Sequence, residues 1–222
     1  MLLLFAVTRG AAAAEPPTVC LDPGHSAATV GARGRSALEY VVCWQTAQRL
    51  RGLLQRSGIR VVITKSSAAQ NVSNEARAET ANRENAALFL RLHCDAGSAS
   101  GFASYYPARP GMFHGVTGPS AQVIEASHLV AAAFHRAAAA SLNGLLRDRG
   151  LHTDAETFVG SRQHGALAGS IFAKVPVVLA EMCVITNPHD ERIVASTAGQ
   201  SRLAAALAAG VQAALDVLRH QE

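Results

Sequence analysis

Thr18-Val-Cys-Leu-Asp-Pro-Gly-His25 decides how the rest of the chain is read. A short apolar run with this composition reads as a buried strand, Pro-Gly stops it, and a histidine follows at once. From there the pattern alternates. Glu39 to Ser57 carries Val42, Thr46, Leu50, Leu53 and Leu54 at helical spacing and closes on Gly58, and Ile59 to Ile63 is a second, β-branched strand. Asn74 to Ala86 reads as a polar, alanine-rich helix with Ser73 or Asn74 as its N-cap, and Leu88 to Leu92 as a third strand ending at His93. Gly101 to Tyr106 is a fourth strand, Pro107 to Ser120 a Pro/Gly-rich loop, and Ala121 to Asn143 a long helix stopped by Gly144. Arg147 to Gly169 is mostly irregular with a short strand in it, Val175 to Met182 is a strongly apolar strand running into Glu181, and Thr197 to Leu218 is a closing amphipathic helix. Such alternation predicts the α/β class: a single domain whose mixed, mostly parallel twisted sheet is flanked by helices on both faces.

Composition narrows the function. With 49% hydrophobic and 16% charged residues the chain is globular rather than disordered. The net charge of +4 would suit an anionic partner, but the basic residues are scattered and form no patch, so no nucleic-acid partner is expected. Residues 1–14, MLLLFAVTRGAAAA, resemble the end of a secretory signal with an Ala-x-Ala cleavage site, the alternative being a disordered segment; residues 15–222 then form the domain. No other segment comes close to the ~20 uninterrupted apolar residues of a membrane span, so no stable membrane insertion is expected. Cys20, Cys43, Cys94 and Cys183 show no zinc-knuckle spacing and lie in or beside apolar stretches. They read as buried thiols, with one disulfide open to an exported chain.

Four polar residues stand out. In open α/β sheets ligands bind beyond the carboxyl ends of the strands. His25 follows the first strand, His93 ends the third, Glu181 ends the last, and Glu39 opens the first helix, from where its carboxylate can turn back to the same edge. Singly, each has a bland reading: a hydrogen-bonded histidine, or a first-turn glutamate favoured by the helix dipole. Glu181 resists that treatment, because a carboxylate at the end of so apolar a run costs several kcal/mol unless paired or metal-linked. Two imidazoles and one carboxylate can hold a catalytic Zn2+ and leave a position open, while the other carboxylate takes a proton from water. The set points to a zinc hydrolase, with Asp22 and Asp95 placed to orient the histidines.

The blocks Asp22-Pro23-Gly24-His25, Leu38-Glu39, Leu92-His93-Cys94-Asp95-Ala96 and Ala180-Glu181, the last continuing to Thr186-Asn187-Pro188, resemble the zinc-dependent N-acetylmuramoyl-L-alanine amidases of the amidase-3 family. The resemblance runs in order from about Thr18 to Leu218, supported by Asn74-Glu75-Ala76-Arg77, Gly101 to Tyr106 and Arg149-Gly150-Leu151. It implies that His25, Glu39 and His93 are the zinc ligands and Glu181 the catalytic glutamate. The bond cleaved would be the amide between the lactyl group of N-acetylmuramic acid and the L-alanine of the stem peptide. A peptidoglycan or muropeptide substrate, a monomeric enzyme and export to the periplasm or cell wall go with it. Ser26 stands where the family has glycine, and Met182-Cys183-Val184 where it often has Leu-Gly-Phe; neither change removes a functional side chain. The competing readings are a zinc peptidase or carboxypeptidase on another amide, and an inactive peptidoglycan-binding homologue. The latter should have lost a ligand or the late glutamate, and this chain has lost neither.

Overall fold

The computed structural model describes residues 15–220, so the expected signal or disordered segment, residues 1–14, lies outside the described residues. The elements are β1 Thr18–Pro23, α1 Glu39–Arg56, β2 Arg60–Ile63, α2 Asn74–Arg83, β3 Leu88–Asp95, β4 Phe102–Tyr106, β5 Gly111–Phe113, β6 Val116–Gly118, α3 Ala121–Leu142, β7 Asp148–Thr153, α4 Phe158–Arg162, α5 Ala168–Ile171, β8 Val177–Val184, α6 Pro188–Val194 and α7 Thr197–Arg219. Six strands form one sheet in the order β2-β1-β3-β8-β4-β7. The first four run parallel, β4 is antiparallel to β8, and β7 runs parallel to β4. The α/β class and the mixed, mostly parallel sheet are as the alternation predicts.

Strand periodicity gives the sheet two different faces. Val19 and Leu21 of β1, Leu88, Leu90, Leu92 and Cys94 of β3, and Val178, Ala180 and Met182 of β8 point into the main core, packed under α1, α3 and α7. The alternate residues face α2 and α5. At the amino end of the strands these are apolar, with Cys20, Phe89 and Val177 against Ala78 and Ala81. Towards the carboxyl ends the same rows become Asp22, Arg91, His93 and Glu181. One face is thus core throughout, and the other changes from core to site within two residues.

Local signals set most boundaries. Ser73, Ser120 and Ser196 cap α2, α3 and α7, each side chain accepting a hydrogen bond from a backbone N–H three residues on. Asn143, at φ 45°, rather than Gly144 is the first left-handed residue after α3. Strands β3 and β8 run past their expected ends, so His93 and Glu181 lie inside them as register partners instead of terminating them. Beyond that pair the register moves from His93↔Glu181 to Asp95↔Val184, which gives β8 one extra residue. The expected loop 107–120 contains the β5–β6 hairpin, and the irregular stretch 147–169 supplies an edge strand and two short helices. Helix α7 is, by length and composition, apolar enough to cross a membrane, although Gln200, Ser201, Arg202, Gln212 and Asp216 interrupt its apolar run. Here its apolar stripe packs on α1 and α3 as part of the core.

The α3–α7 crossing depends on Gly210, where an added Cβ would lie 2.7 Å from the Phe134 ring and 2.9 Å from the Phe134 carbonyl oxygen. Glycine in a helix interior ordinarily costs ~1 kcal/mol relative to alanine, but close packing reverses the preference here. Gly210→Leu is expected to destabilise by about 1–3 kcal/mol, read as a Tm lowered by roughly 2–4 °C per kcal/mol in thermal unfolding.

Candidate active site

The loop after β1 is fixed by its own carbonyls. Gly24 N donates to Leu92 O at 2.9 Å, and His25 follows at φ 57°, in the left-handed region. Lys65 Nζ donates to Gly24 O at 3.3 Å and His25 O at 2.6 Å, and Arg77 donates to Pro23 O at 2.8 Å and His25 O at 3.2 Å. Arg77 is itself held by the fully buried Asp22, which also accepts from Thr64 Oγ1 at 2.6 Å and Arg91 Nε at 3.0 Å. Burial alone would raise the Asp22 carboxyl, but the charges of Arg77 and Arg91 and the Thr64 hydrogen bond outweigh it and hold it below the usual carboxylate range. Asp22 therefore touches no imidazole, contrary to expectation. It orients His25 at one remove, through Arg77 and the loop backbone. Ser26, in place of the family glycine, is buried and bonded through Oγ to Thr29 and Asn71, which ties the loop to the segment before α2.

Three of the four site residues meet directly. Glu39 Oε1 lies 3.2 Å from His25 Nε2 and 3.1 Å from His93 Nδ1, and one donor atom from each residue falls within 4.8 Å of the others. The two rings stand edge to face, 5.0 Å between centroids. The amide of Cys94 donates to Glu39 Oε1 at 3.0 Å and that of Ala32 to Oε2 at 2.6 Å, fixing the carboxylate plane. Burial would raise the Glu39 carboxyl, but hydrogen bonds and charge from His25 and His93 hold it below its ordinary value. Burial pushes the His93 imidazole down against the pull of Glu39, favouring the neutral ring that a metal ligand must be. Two glycines leave room for the cluster. A Cβ on Gly24 would meet the His93 ring at 2.5 Å, and one on Gly31 (φ 76°) would meet Glu39 Oε2 at 2.3 Å and the His25 ring at 2.7 Å.

These residues fit a zinc ion. Two nitrogens and a carboxylate oxygen are its customary donors, one such atom from each residue lies within 4.8 Å of the others, and Gly24 and Gly31 leave the space around them free of side chain. Glu181 stands beside His93 on the next strand, with Oε2 buried and partnerless. Burial, helped by the charges of Glu39 and Asp95, raises its carboxyl well above the ordinary value despite Arg149 and Arg91. Asp95 pairs with Arg149 Nη2 at 2.9 Å and accepts from Ala96 N, so it too contacts no histidine, contrary to expectation. The residues front a cleft of about 730 Å³ whose walls include Asn71, Asn74, Arg91, Tyr105 and Leu179, with Phe158, 72% exposed, on its lip. All four cysteines are free and buried, in keeping with inert thiols; Cys94 serves the site through its amide alone.

The chain belongs to the amidase-3 family, described as N-acetylmuramoyl-L-alanine amidase, whose model matches residues 19–213. It is 27% identical to the N-acetylmuramoyl-L-alanine amidase AmiA of Escherichia coli, over 87% of this chain and 74% of that protein. It is 28% identical to the N-acetylmuramoyl-L-alanine amidase Rv3717 of Mycobacterium tuberculosis, over 87% and 84%. A shorter match, 35% identical, joins 40% of this chain to 36% of the sporulation-specific N-acetylmuramoyl-L-alanine amidase of Bacillus subtilis. The fold is shared with the catalytic domain of CwlV from Bacillus (Paenibacillus) polymyxa, at TM-score 0.72 and 23% identity over 90% of this chain and 99% of that one. It is shared equally with an amidase from Clostridium difficile 630, at TM-score 0.74 and 21% identity over 91% and 98%.

Two outcomes follow from the supports. The depressed Asp22 carboxyl contributes stability that is complete above its unfolded value of ~3.9 and is lost as pH falls through the lower folded value. Asp22→Asn should therefore cost about 3–5 kcal/mol in urea unfolding at pH 7, with the gap to wild type narrowing below pH ~4. Gly31→Ala should leave the fold intact and weaken zinc affinity roughly 10–100-fold in a chelator competition, the loss typical of disturbed ligand support.

Proposed function

We propose that the chain hydrolyses the amide joining the lactyl carbonyl of N-acetylmuramic acid to the L-alanine of a peptidoglycan stem peptide, using a zinc ion held by His25, Glu39 and His93. The observation that carries the reading is the pairing of that three-donor cluster with a separate, partnerless carboxylate, Glu181, its neighbour across two strands. Bound there, zinc supplies Lewis-acid polarisation of the scissile carbonyl and makes water easier to ionise near neutral pH. The protein's own residues do the rest. Glu181 takes the proton of the attacking water on its free oxygen. As the C–N bond breaks, Glu181 returns that proton to the departing nitrogen, leaving a lactyl carboxylate and a free alanine amine. Cys94 and Ala32 amides keep Glu39 from rotating, and Arg77 with Lys65 keeps the His25 backbone in place. The substrate's location carries export of the enzyme with it, and the enzyme acts as a monomer.

Glu181→Gln should retain one zinc per chain and lose roughly 10²–10⁴-fold in kcat, while His93→Ala loses the metal as well. Metal content by atomic spectroscopy and the appearance of stem peptide with a free N-terminal alanine from purified muropeptides read the two effects separately. Chelation should abolish turnover, and added zinc restore it. Release of a C-terminal residue in place of a free N-terminal alanine on the stem peptide would favour the peptidase reading.

A further inference from the structure

Beneath the cleft lies a cluster of buried cations, two of which, Arg77 and Arg91, line it. Lys65, Arg77 and Arg91 are all buried around one fully buried carboxylate, Asp22. Lys65 spends its ammonium on the carbonyls of Gly24, His25 and Ala68, and Arg77 spends its guanidinium on Asp22 and the carbonyls of Pro23, His25 and Val72. Arg91 is different. Its Nε donates to Asp22 Oδ2 at 3.0 Å and its Nη2 to Asn74 Oδ1 at 2.8 Å, but its Nη1 has no hydrogen-bond partner among the described residues. Nor is Nη1 among the partnerless atoms sealed from solvent, and the side chain lines the cleft. The acids nearest in charge, Glu181 and Asp154, form no ion pair with it among the described residues. Gly169 completes the mount, since a Cβ there would lie 2.3 Å from both the guanidinium carbon and Nη1. The fork is fixed by Asp22, Asn74 and the backbone at Gly169, with one amino group uncommitted. A guanidinium so mounted loses little entropy when it meets a carboxylate.

Its position suits a peptide. Arg91 and His93 alternate onto the same face of β3, about 7 Å apart at ~3.3 Å per residue. A chain extended from the cleaved amide covers that distance in roughly two residues. We propose that Arg91 binds a carboxylate of the residue that follows L-alanine in the stem peptide, making negative charge there a determinant of turnover; this rests on the amidase reading above.

The test gives the zinc-loaded enzyme two soluble probes, N-acetylmuramoyl-L-alanyl-D-glutamate and its diamide, in which both carboxylates are carboxamides. Loss of a charged hydrogen bond predicts that the wild type favours the carboxylate probe by roughly tenfold to hundredfold in kcat/KM, mostly through KM. Arg91→Gln should bring that ratio to within about twofold, and Arg91→Lys, which keeps the charge, should retain part of it. A purely structural role for Arg91 would lower both rates and leave the ratio alone. Equal cleavage of the two probes by wild type overturns the inference, as does an unchanged ratio in folded, zinc-binding Arg91→Gln. If that variant does not fold, the wild-type ratio decides by itself. Cleavage of neither probe by the zinc-loaded wild type would bring down the amidase reading and this inference together.

Discussion

One buried carboxylate organises the cleft. Asp22 has no exposed surface, and a charge in that position is tolerated only because two guanidiniums and a hydroxyl satisfy it. Each guanidinium then carries the constraint to a different place. Arg77 reaches the carbonyls of Pro23 and His25 and so sets the loop that presents one candidate ligand. Arg91 reaches Asn74 and the cleft floor. The anchoring of a ligand loop and the charge of the floor are thus two ends of one ionic network. That network lies at the point where the α2-facing side of the sheet turns from apolar to polar.

The two-faced sheet explains how so apolar a strand can end in chemistry. Leu92, Cys94, Ala180 and Met182 spend their side chains on the core beneath α1, α3 and α7. The residues between them, His93 and Glu181, are delivered to the opposite face side by side by the parallel register. Glu39 arrives from a helix start instead of a strand, and its carboxylate is held by two backbone amides, so the cluster has a rigid member from each layer. Close approach of these groups requires that Gly24 and Gly31 carry no side chain.

Much of this was legible in the sequence. Helix α1 reads to within a residue of its end, because Leu50 and Leu54 keep helical spacing up to Gly58; Ser73 announces α2, and the apolar runs of β1, β3 and β8 announce the sheet. The four site residues were legible as types at strand and helix ends. What lay out of reach depends on distance in the chain. That Asp22 grips Arg77 and Arg91 rather than a histidine is a matter of contacts 55 and 69 residues apart. Strand ends were misjudged at His93 and Glu181 because polar residues usually mark a boundary, whereas here pairing continues through them. The short strand expected in 147–169 is β7, but all of it is partly or fully exposed and it lacks the apolar alternation that would have fixed its position. Helix α6 did have a signal: Asn187-Pro188 is a cap followed by proline in the first turn.

The outermost strands of the sheet have a bearing on solubility. A long, flat border with free backbone groups invites a second chain to add itself, the first step of aggregation. On one side β2 has only four residues and begins with an exposed arginine, Arg60. On the other, β7 is broken by Gly150 at φ 94°, and its register against β4 slips between Phe102 and Ser104. A border that short, or that irregular, offers a poor template, so the sheet can stay open at both sides without recruiting its neighbours in a crowded solution.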